Sequence, residues 1–141
     1  MVSLTTAHVA SILRHGEADY PYECCGLLIG RFESTRKVVE EIFPISNARE
    51  EEAKRTRFLI GAEEFSRGER HAREQGLDIV GFYHSHPDHP AIASGFDCEH
   101  AWPIYSYIIV SVIQGKAAEV LSWELAEDRS GFAAEIIRQG E

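Results

Sequence analysis

Apolar positions along the chain gather into continuous runs and into stretches with helical spacing. A short continuous apolar run bounded by turn residues or charge is typical of a buried strand, and residues 24–32 form one. The stretches 37–45, 77–85, 105–114 and 116–125 are also strand-like. Apolar residues recur at helical spacing over 4–15, with Thr5 or Ser3 as N-cap, and the Gly and Pro of 16–23 are expected to end that helix. Residues 62–76 have the composition of a surface helix that ends in glycine. Strands outnumber helices, which predicts a mixed sheet flanked by helices, in the α/β or α+β class.

The remaining segments carry weaker signals. Residues 58–61 are interpreted as a brief strand and 94–102 as a short helix, while the charge-dense stretch 46–57 is expected to be a loop. The last two apolar runs are joined through Gly115, which predicts a hairpin. The tail over 130–139 stays ambiguous, since its composition favours a helix and its place after EDRSG favours a strand.

Length and composition bound the class of protein. The chain has 141 residues, which predicts a single domain over 1–141 with a core that needs no disulfide staples. No apolar stretch approaches the roughly 20 residues of a membrane span, and the N-terminus lacks the pattern of a signal peptide. We therefore expect a cytoplasmic protein that does not associate with membranes.

Charge and cysteine content argue against two further classes. The net charge is -9 and the one basic cluster, KRTR at 54–57, is short, so nucleic acid is not an expected partner. Cys24, Cys25 and Cys98 cannot form a disulfide framework and include no CxxC, so we interpret them as small buried residues. A metal role for Cys98, beside Asp97, stays open.

The candidate chemistry lies in GFYHSHPDHPAIASGFD, residues 81–97. Alternate residues of a strand share a face, so His84 and His86 are predicted to be neighbours, with Pro87 ending the strand. Imidazole nitrogens are favoured ligands of zinc, and Asp97, in the first turn of the predicted helix, is the natural third ligand. Three protein ligands leave a fourth position for water, which is the layout of a catalytic zinc site.

A catalytic site of this kind also needs a general base and a donor for the oxyanion. Ser94 lies three residues before Asp97, close enough in sequence to be the donor. Glu23 stands out among the carboxylates because it directly precedes the apolar run CCGLLIG. Spacing alone does not choose Glu23 over Glu99 or Asp88 as the base.

Each of these residues alone has an ordinary structural explanation. Two histidines on a strand can be a chance pair, Ser94 and Asp97 can be a helix cap and a dipole partner, and Glu23 can be a solvated strand end. His89 and His100 are interpreted as loop or surface residues. The metal-site hypothesis therefore depends on the joint arrangement of strand, HSHP, return turn, serine and aspartate.

Taken together, a glutamate before the first core strand and a downstream H-x-H-P-x6-S-x2-D resemble the signature of the JAMM (MPN+) metalloprotease family. The matching residues are Glu23, His84, His86, Pro87, Ser94 and Asp97. The stretches YECCGLLIGR, SNA, RFLIGAEEF and AWPIYSYIIVSV are also similar to the small prokaryotic members. One departure is Ala93, which stands where those members often have proline.

This resemblance implies a cytidine-deaminase-like α/β/α fold with a curved mixed sheet between helices. It implies zinc held by His84, His86 and Asp97, a water activated by Glu23 as general base, and Ser94 steadying the tetrahedral intermediate. The implied reaction is hydrolysis of the amide bond after the C-terminal Gly-Gly tail of a ubiquitin-like or sulfur-carrier protein. The alternative is a non-catalytic module that binds a ubiquitin-like partner, and the charge disfavours a DNA-repair-associated relative.

Overall fold

The computed structural model describes residues 1–47, 60–94 and 101–140, and within them the chain forms one mixed sheet and two helices. The helices are α1 (Thr6–Asp19) and α2 (Ala62–Glu74), and the strands are β1 (Val2–Thr5), β2 (Cys25–Phe32), β3 (Lys37–Ile45), β4 (Asp78–Pro87), β5 (Ser106–Ile113), β6 (Lys116–Leu125), β7 (Phe132–Glu135) and β8 (Ile137–Gly140). Their order across the sheet is β7-β6-β5-β4-β2-β3-β1-β8. The strand that carries the two histidines, β4, lies in the middle of this order. It is antiparallel to β2 on one side and parallel to β5 on the other.

The two helices cover opposite faces of the sheet. Neighbouring residues of β2 project to opposite sides. Leu28 packs in a buried cluster with Ile12 of α1, whereas Leu27 packs in a second cluster with Phe65 of α2. The continuous apolar run of β2 is therefore buried on both sides. This is the predicted α/β/α arrangement around a curved mixed sheet.

Helix α1 begins at the predicted cap and ends later than expected. The Thr5 hydroxyl accepts from the N–H of His8 at 3.0 Å, and His8 Nδ1 accepts from the N–H of Thr5 at 3.2 Å, which closes a capping box. The segment 16–23 ends the helix as predicted, but at Asp19 and not at Gly16. A Cβ at Gly16 would lie 3.0 Å from the side chain of Val112 in β5, so this glycine allows close packing of the helix on the sheet.

The two edges of the sheet come together. β7 is one edge strand and β8 is the other, yet Ile136 alone separates them along the chain. β8 pairs in parallel with β1, and the N–H of Val2 donates to the carbonyl of Ile136 at 3.0 Å. The sheet therefore curves until it is nearly closed. The helical interpretation of the tail is wrong, and β1 is a strand that the sequence pattern did not predict.

A buried ion pair lies at the seam between these edges. Lys37 begins β3 and Glu135 ends β7; they are 7% and 8% exposed, and Lys37 Nζ donates to Glu135 Oε2 at 3.0 Å. Lys37 Nζ also donates to Glu124 at 2.7 Å, and the Ser122 hydroxyl donates to Glu135 Oε1 at 2.8 Å. Burial by itself would raise the pKa of the Glu135 carboxyl. The facing Ser106 and Ser122 hydroxyls and the Lys37 ammonium outweigh burial and lower that pKa.

The other sequence predictions have mixed outcomes. The remaining predicted strands, the hairpin and the second helix are confirmed within a few residues. In the predicted strand 58–61, Ile60 and Gly61 are not in a strand, Gly61 is the N-cap of α2, and the first two residues lie outside the described residues. The predicted helix 94–102 and loop 46–57 also fall largely outside them. Across the described ranges, no helix is both long and apolar enough to cross a membrane.

Replacing Lys37 by methionine is expected to lower the free energy of unfolding by about 3–5 kcal/mol, because the Glu135 carboxylate would stay buried without its cation. Arg31→Met is the matched control. Arg31 pairs with Glu40 on the surface, where both side chains are well exposed, and such pairs contribute little. Urea unfolding of both variants at pH 7 measures the difference.

The pH dependence of stability gives a second readout of the same ion pair. The folded pKa of Glu135 lies below the value of about 4.3 in the unfolded chain. Its contribution is therefore fully present above that pH and is lost as the pH falls through the folded pKa. The acid loss should be smaller in Glu135→Gln than in wild type. Equal losses of stability for Lys37→Met and Arg31→Met at pH 7 would contradict this account of the seam.

Candidate functional site

His84 and His86 lie at the carboxyl end of β4 and share one face of that strand. Both side chains are buried, with 2% and 9% of the residue surface exposed. Ser85 between them faces the other side, where its hydroxyl accepts from the N–H of Cys24 at 2.8 Å. The alternation of faces that the sequence predicts is therefore present at the end of β4, and the strand ends at Pro87 as predicted.

The ring nitrogens of the two histidines converge. His84 Nε2 and His86 Nε2 are 3.2 Å apart, and the ring centroids are 5.0 Å apart. Two nitrogens bound to one tetrahedral zinc ion at 2.0–2.1 Å would be separated by about 3.3 Å. The spacing of this pair thus fits two corners of a tetrahedral zinc site.

A backbone carbonyl determines the tautomer of His86. Its Nδ1 lies 2.9 Å from the carbonyl oxygen of Pro90, and because a carbonyl can only accept, Nδ1 carries the hydrogen. In the neutral ring, Nε2 then presents its lone pair on the side that faces His84. A hydrogen bond from the second ring nitrogen is also what commonly orients a metal-binding histidine.

Glu23 reaches this site through the pairing of β2 with β4. Cys25 is opposite His84 in the antiparallel register, so the same register places position 23 opposite His86. Glu23 is 5% exposed. Its carboxylate is therefore largely withdrawn from solvent at the end of the sheet where the histidines converge.

Cys24 and Cys25 are buried residues beside this site. Burial raises the pKa of both thiols to about 12. Zinc binds the thiolate form, whereas these thiols are neutral at physiological pH. Their geometry agrees with the interpretation as small packing residues, and Cys98 lies outside the described residues.

The turn that leaves His86 is held at three successive carbonyls by three different strands. The bonds are Ser111 Oγ to the His89 carbonyl at 2.7 Å, His86 Nδ1 to the Pro90 carbonyl at 2.9 Å, and Trp123 Nε1 to the Ala91 carbonyl at 3.0 Å. These donors belong to β5, β4 and β6. The turn is therefore well tied up to Ala91.

Asp88 braces the start of the same turn. Its Oδ2 accepts from the Tyr20 hydroxyl at 2.7 Å and its Oδ1 accepts from the N–H of Gln114 at 2.8 Å. Its own N–H donates to the carbonyl of Val112 at 2.7 Å. The φ of 58° lies in the left-handed region, which aspartate tolerates better than most residues. Asp88 thus joins the end of α1 and the β5–β6 hairpin to the histidine strand.

The structure describes some of the predicted site residues and not others. Ser94 is exposed and lies three residues beyond the tied part of the turn. Asp97, the predicted third ligand, lies outside the described residues, as do Glu99 and His100. Among the residues that the structure describes, no group of three or more His, Cys, Asp or Glu could hold a metal. The described residues supply two of the three predicted ligands.

Three residues that support this site were not predicted to do so. Asn47, Ser111 and Trp123 each donate a hydrogen bond to the backbone around it. They come from separate parts of the chain, and although Asn47 and Ser111 lie in stretches similar to the family, the sequence assigned them no role. The signal that finds them is the register of the strands, which a single sequence does not contain.

Comparison with known proteins places the chain among related sequences. A family model described as prokaryotic homologs of the JAB domain matches residues 5–126. Over 105 residues the chain is 38% identical to the desampylase of Haloferax volcanii. The matched region covers 73% of this chain and 73% of that protein.

Solved structures share the fold. A protein of Desulfitobacterium hafniense superposes with a TM-score of 0.86 at 30% identity, covering 100% of this chain and 94% of that one. A protein of Salinibacter ruber gives 0.77 at 38% identity, with 100% and 92% covered. A JAB1/MPN domain protein of Archaeoglobus fulgidus gives 0.61 at 18% identity over the full length of both chains, a likeness of fold alone.

Replacing Asp88 by alanine should lower the free energy of unfolding by about 1–2 kcal/mol, because two hydrogen bonds across the turn are lost. Asp88→Asn should cost less, since asparagine keeps an acceptor and also tolerates the left-handed region. Thermal unfolding measures both variants. The matched control is Asp128→Ala in the turn before β7, where the lost bond joins residues two apart. Asp88→Ala should lower the free energy of unfolding more than Asp128→Ala does. Equal losses would show that the bonds of Asp88 to Tyr20 and Gln114 add no more stability than a bond within one turn.

Proposed function

Because the chain belongs to the family of prokaryotic homologues of the JAB domain, we propose that it is a zinc-dependent peptidase. Its reaction is hydrolysis of the amide bond after the C-terminal Gly-Gly tail of a ubiquitin-like or sulfur-carrier protein. The observation that carries this proposal is the convergence of His84 Nε2 and His86 Nε2 at 3.2 Å, with Glu23, two residues before β2, opposite His86 when the β2–β4 register is continued. The relative at 38% identity supports the substrate class, since the name desampylase denotes release of a ubiquitin-like protein.

The ligand set of the proposal is His84, His86 and Asp97. Both histidines are buried at the end of a central strand, and the Pro90 carbonyl orients one of them, so two ligands are positioned before any ion arrives. Zinc bound there would lower the pKa of water to about 7 and polarise the scissile carbonyl.

Glu23 acts as the general base in this proposal. Its carboxylate accepts a proton from the attacking water and then donates that proton to the leaving amine. Glu23 is suited to this role because it is buried beside the ligand strand, so few bulk waters compete for the proton. The Ser94 hydroxyl donates to the oxyanion of the tetrahedral intermediate.

The proposed substrate tail suits a site at the end of a buried strand. Glycine has no Cβ, so a Gly-Gly segment can bring its backbone close to a narrow site that larger residues cannot enter. An extended tail can also form main-chain hydrogen bonds with a neighbouring strand, which gives affinity without side-chain contacts. The partner of this chain is therefore proposed to be a protein with a flexible Gly-Gly terminus.

His86→Ala is expected to abolish stoichiometric zinc binding, because one of two preorganised nitrogen ligands is removed. Elemental analysis of purified, zinc-loaded protein measures the metal content. Cleavage of a ubiquitin-like protein extended beyond its Gly-Gly should fall to background in the same variant. His89→Ala is the matched control: its side chain is exposed, its carbonyl is retained, and zinc content and cleavage should match wild type.

Glu23→Gln is expected to keep zinc and to lower kcat by about 10²–10⁴-fold, since the amide cannot accept the proton while its shape is preserved. Single-turnover cleavage with zinc content measured on the same sample tests this. Full activity in the zinc-loaded variant would reject Glu23 as the base.

The two experiments also separate the proposal from a non-catalytic binding module. A wild-type protein that cannot be loaded with zinc would reject the metallopeptidase. A protein that binds zinc and the ubiquitin-like partner but leaves the extended tail uncut would favour the binding module instead.

A further inference from the structure

The registers of three strands, continued two residues past the ends of β2 and β3, place Asn47, Glu23 and His86 in one row. Cys25 is opposite Ile45 in the β2–β3 pair, so the same register places position 47 opposite position 23. The β2–β4 register places position 23 opposite position 86. The three residues all lie at the end of the sheet where the histidines converge.

Asn47 makes a contact that fits this placement. Its side-chain Nδ2 donates to the main-chain carbonyl of Glu23 at 3.0 Å. β3 ends at Ile45 and β2 begins at Cys25, so regular pairing of these two strands has stopped before this row. The side-chain amide of Asn47 therefore connects the segment after β3 to the segment before β2, at a point where the backbone hydrogen bonds of the β2–β3 pair have ended.

The backbone next to Glu23 is tied to β4 on its other side. The N–H of Cys24 donates to the Ser85 hydroxyl at 2.8 Å, and the N–H of Ser85 donates to the Cys24 carbonyl at 3.2 Å. These bonds tether the chain toward the histidine strand, and the Asn47 bond tethers it toward β3. Together they hold the segment that carries Glu23 from two sides.

We propose that Asn47 is a positioning residue for Glu23, holding its main chain so that the carboxylate stays aligned with His86. This inference rests on the proposed function, because it takes Glu23 to be the general base. Proton transfer is sensitive to distance, and a displacement of about 1 Å can reduce a rate by about 100-fold. The contact that carries the inference is with the main chain of Glu23, so the expected effect is on the base and not on metal binding.

The variant that tests this is Asn47→Leu, which removes the amide donor and keeps a similar volume. We expect kcat to fall by about 10- to 100-fold, with KM and zinc content unchanged. Asn47→Ser should give the same loss of kcat, because the serine side chain is polar but too short to reach the Glu23 carbonyl. Asn47 is the only asparagine in the sequence, so the matched control is Gln75→Leu. Gln75 caps the end of α2, near the opposite end of β4, and its variant should keep wild-type kcat.

A double-mutant cycle separates positioning of the base from a general structural effect. If Asn47 acts through Glu23, adding Asn47→Leu to Glu23→Gln should cause no further loss of the residual kcat, because the base is already absent. A further loss equal to that seen in the wild-type background would overturn the inference. So would an Asn47→Leu variant with wild-type kcat.

A measurement on metal-free protein keeps this inference distinct from the proposed function. In Asn47→Leu, the ¹³C resonance of the Glu23 carbonyl should move upfield, because the carbonyl loses its hydrogen-bond donor. An unmoved resonance would overturn the inference even in an active enzyme. An inactive zinc-loaded wild type would instead reject the proposed function, since it leaves Glu23 without a catalytic role.

Discussion

The pairing of β2 with β4 in the centre of the sheet is the constraint on which the candidate site depends. Its register places Cys25 opposite His84 and thereby brings position 23 next to His86. A slip of one residue would turn Glu23 to the other face and separate it from the histidines, because side chains alternate along a strand. Both strands are buried on both faces by the helices, so a slip would also expose apolar residues to water. Core packing therefore fixes the geometry of the site.

Rigidity around the histidines comes from hydrogen bonds that several strands supply to the return turn. Three successive carbonyls of the return turn accept hydrogen bonds from side chains on three strands, and Asp88 ties the turn to α1 and the β5–β6 hairpin. Each bond is worth only about 1 kcal/mol by itself. Together they leave the backbone few alternatives, which is the condition under which two histidine rings can be held ready for one ion.

Curvature of the sheet accounts for the parts of the fold that lie far from the site. Strands twist with a fixed hand, and over eight strands this twist brings the first edge round to the last. The tail then passes from β7 to β8 through one residue and pairs with β1. Lys37 and Glu135 lie buried at the seam, so their stabilisation depends on the two edges coming together.

By itself the sequence determined the elements whose signals are local. The apolar runs of the central strands, the Thr5 cap and the common face of His84 and His86 all follow from spacing within about ten residues. The tertiary structure decided what depends on distant partners. The tail became strands because β6 and β1 offered it edges, against its helical composition. Glu23 lies opposite His86 because the chain next to it pairs with β4. The adjacent Cys24 bonds Ser85 across a sequence separation of 61 residues. Such contacts are set by strand order and register, which no local pattern encodes.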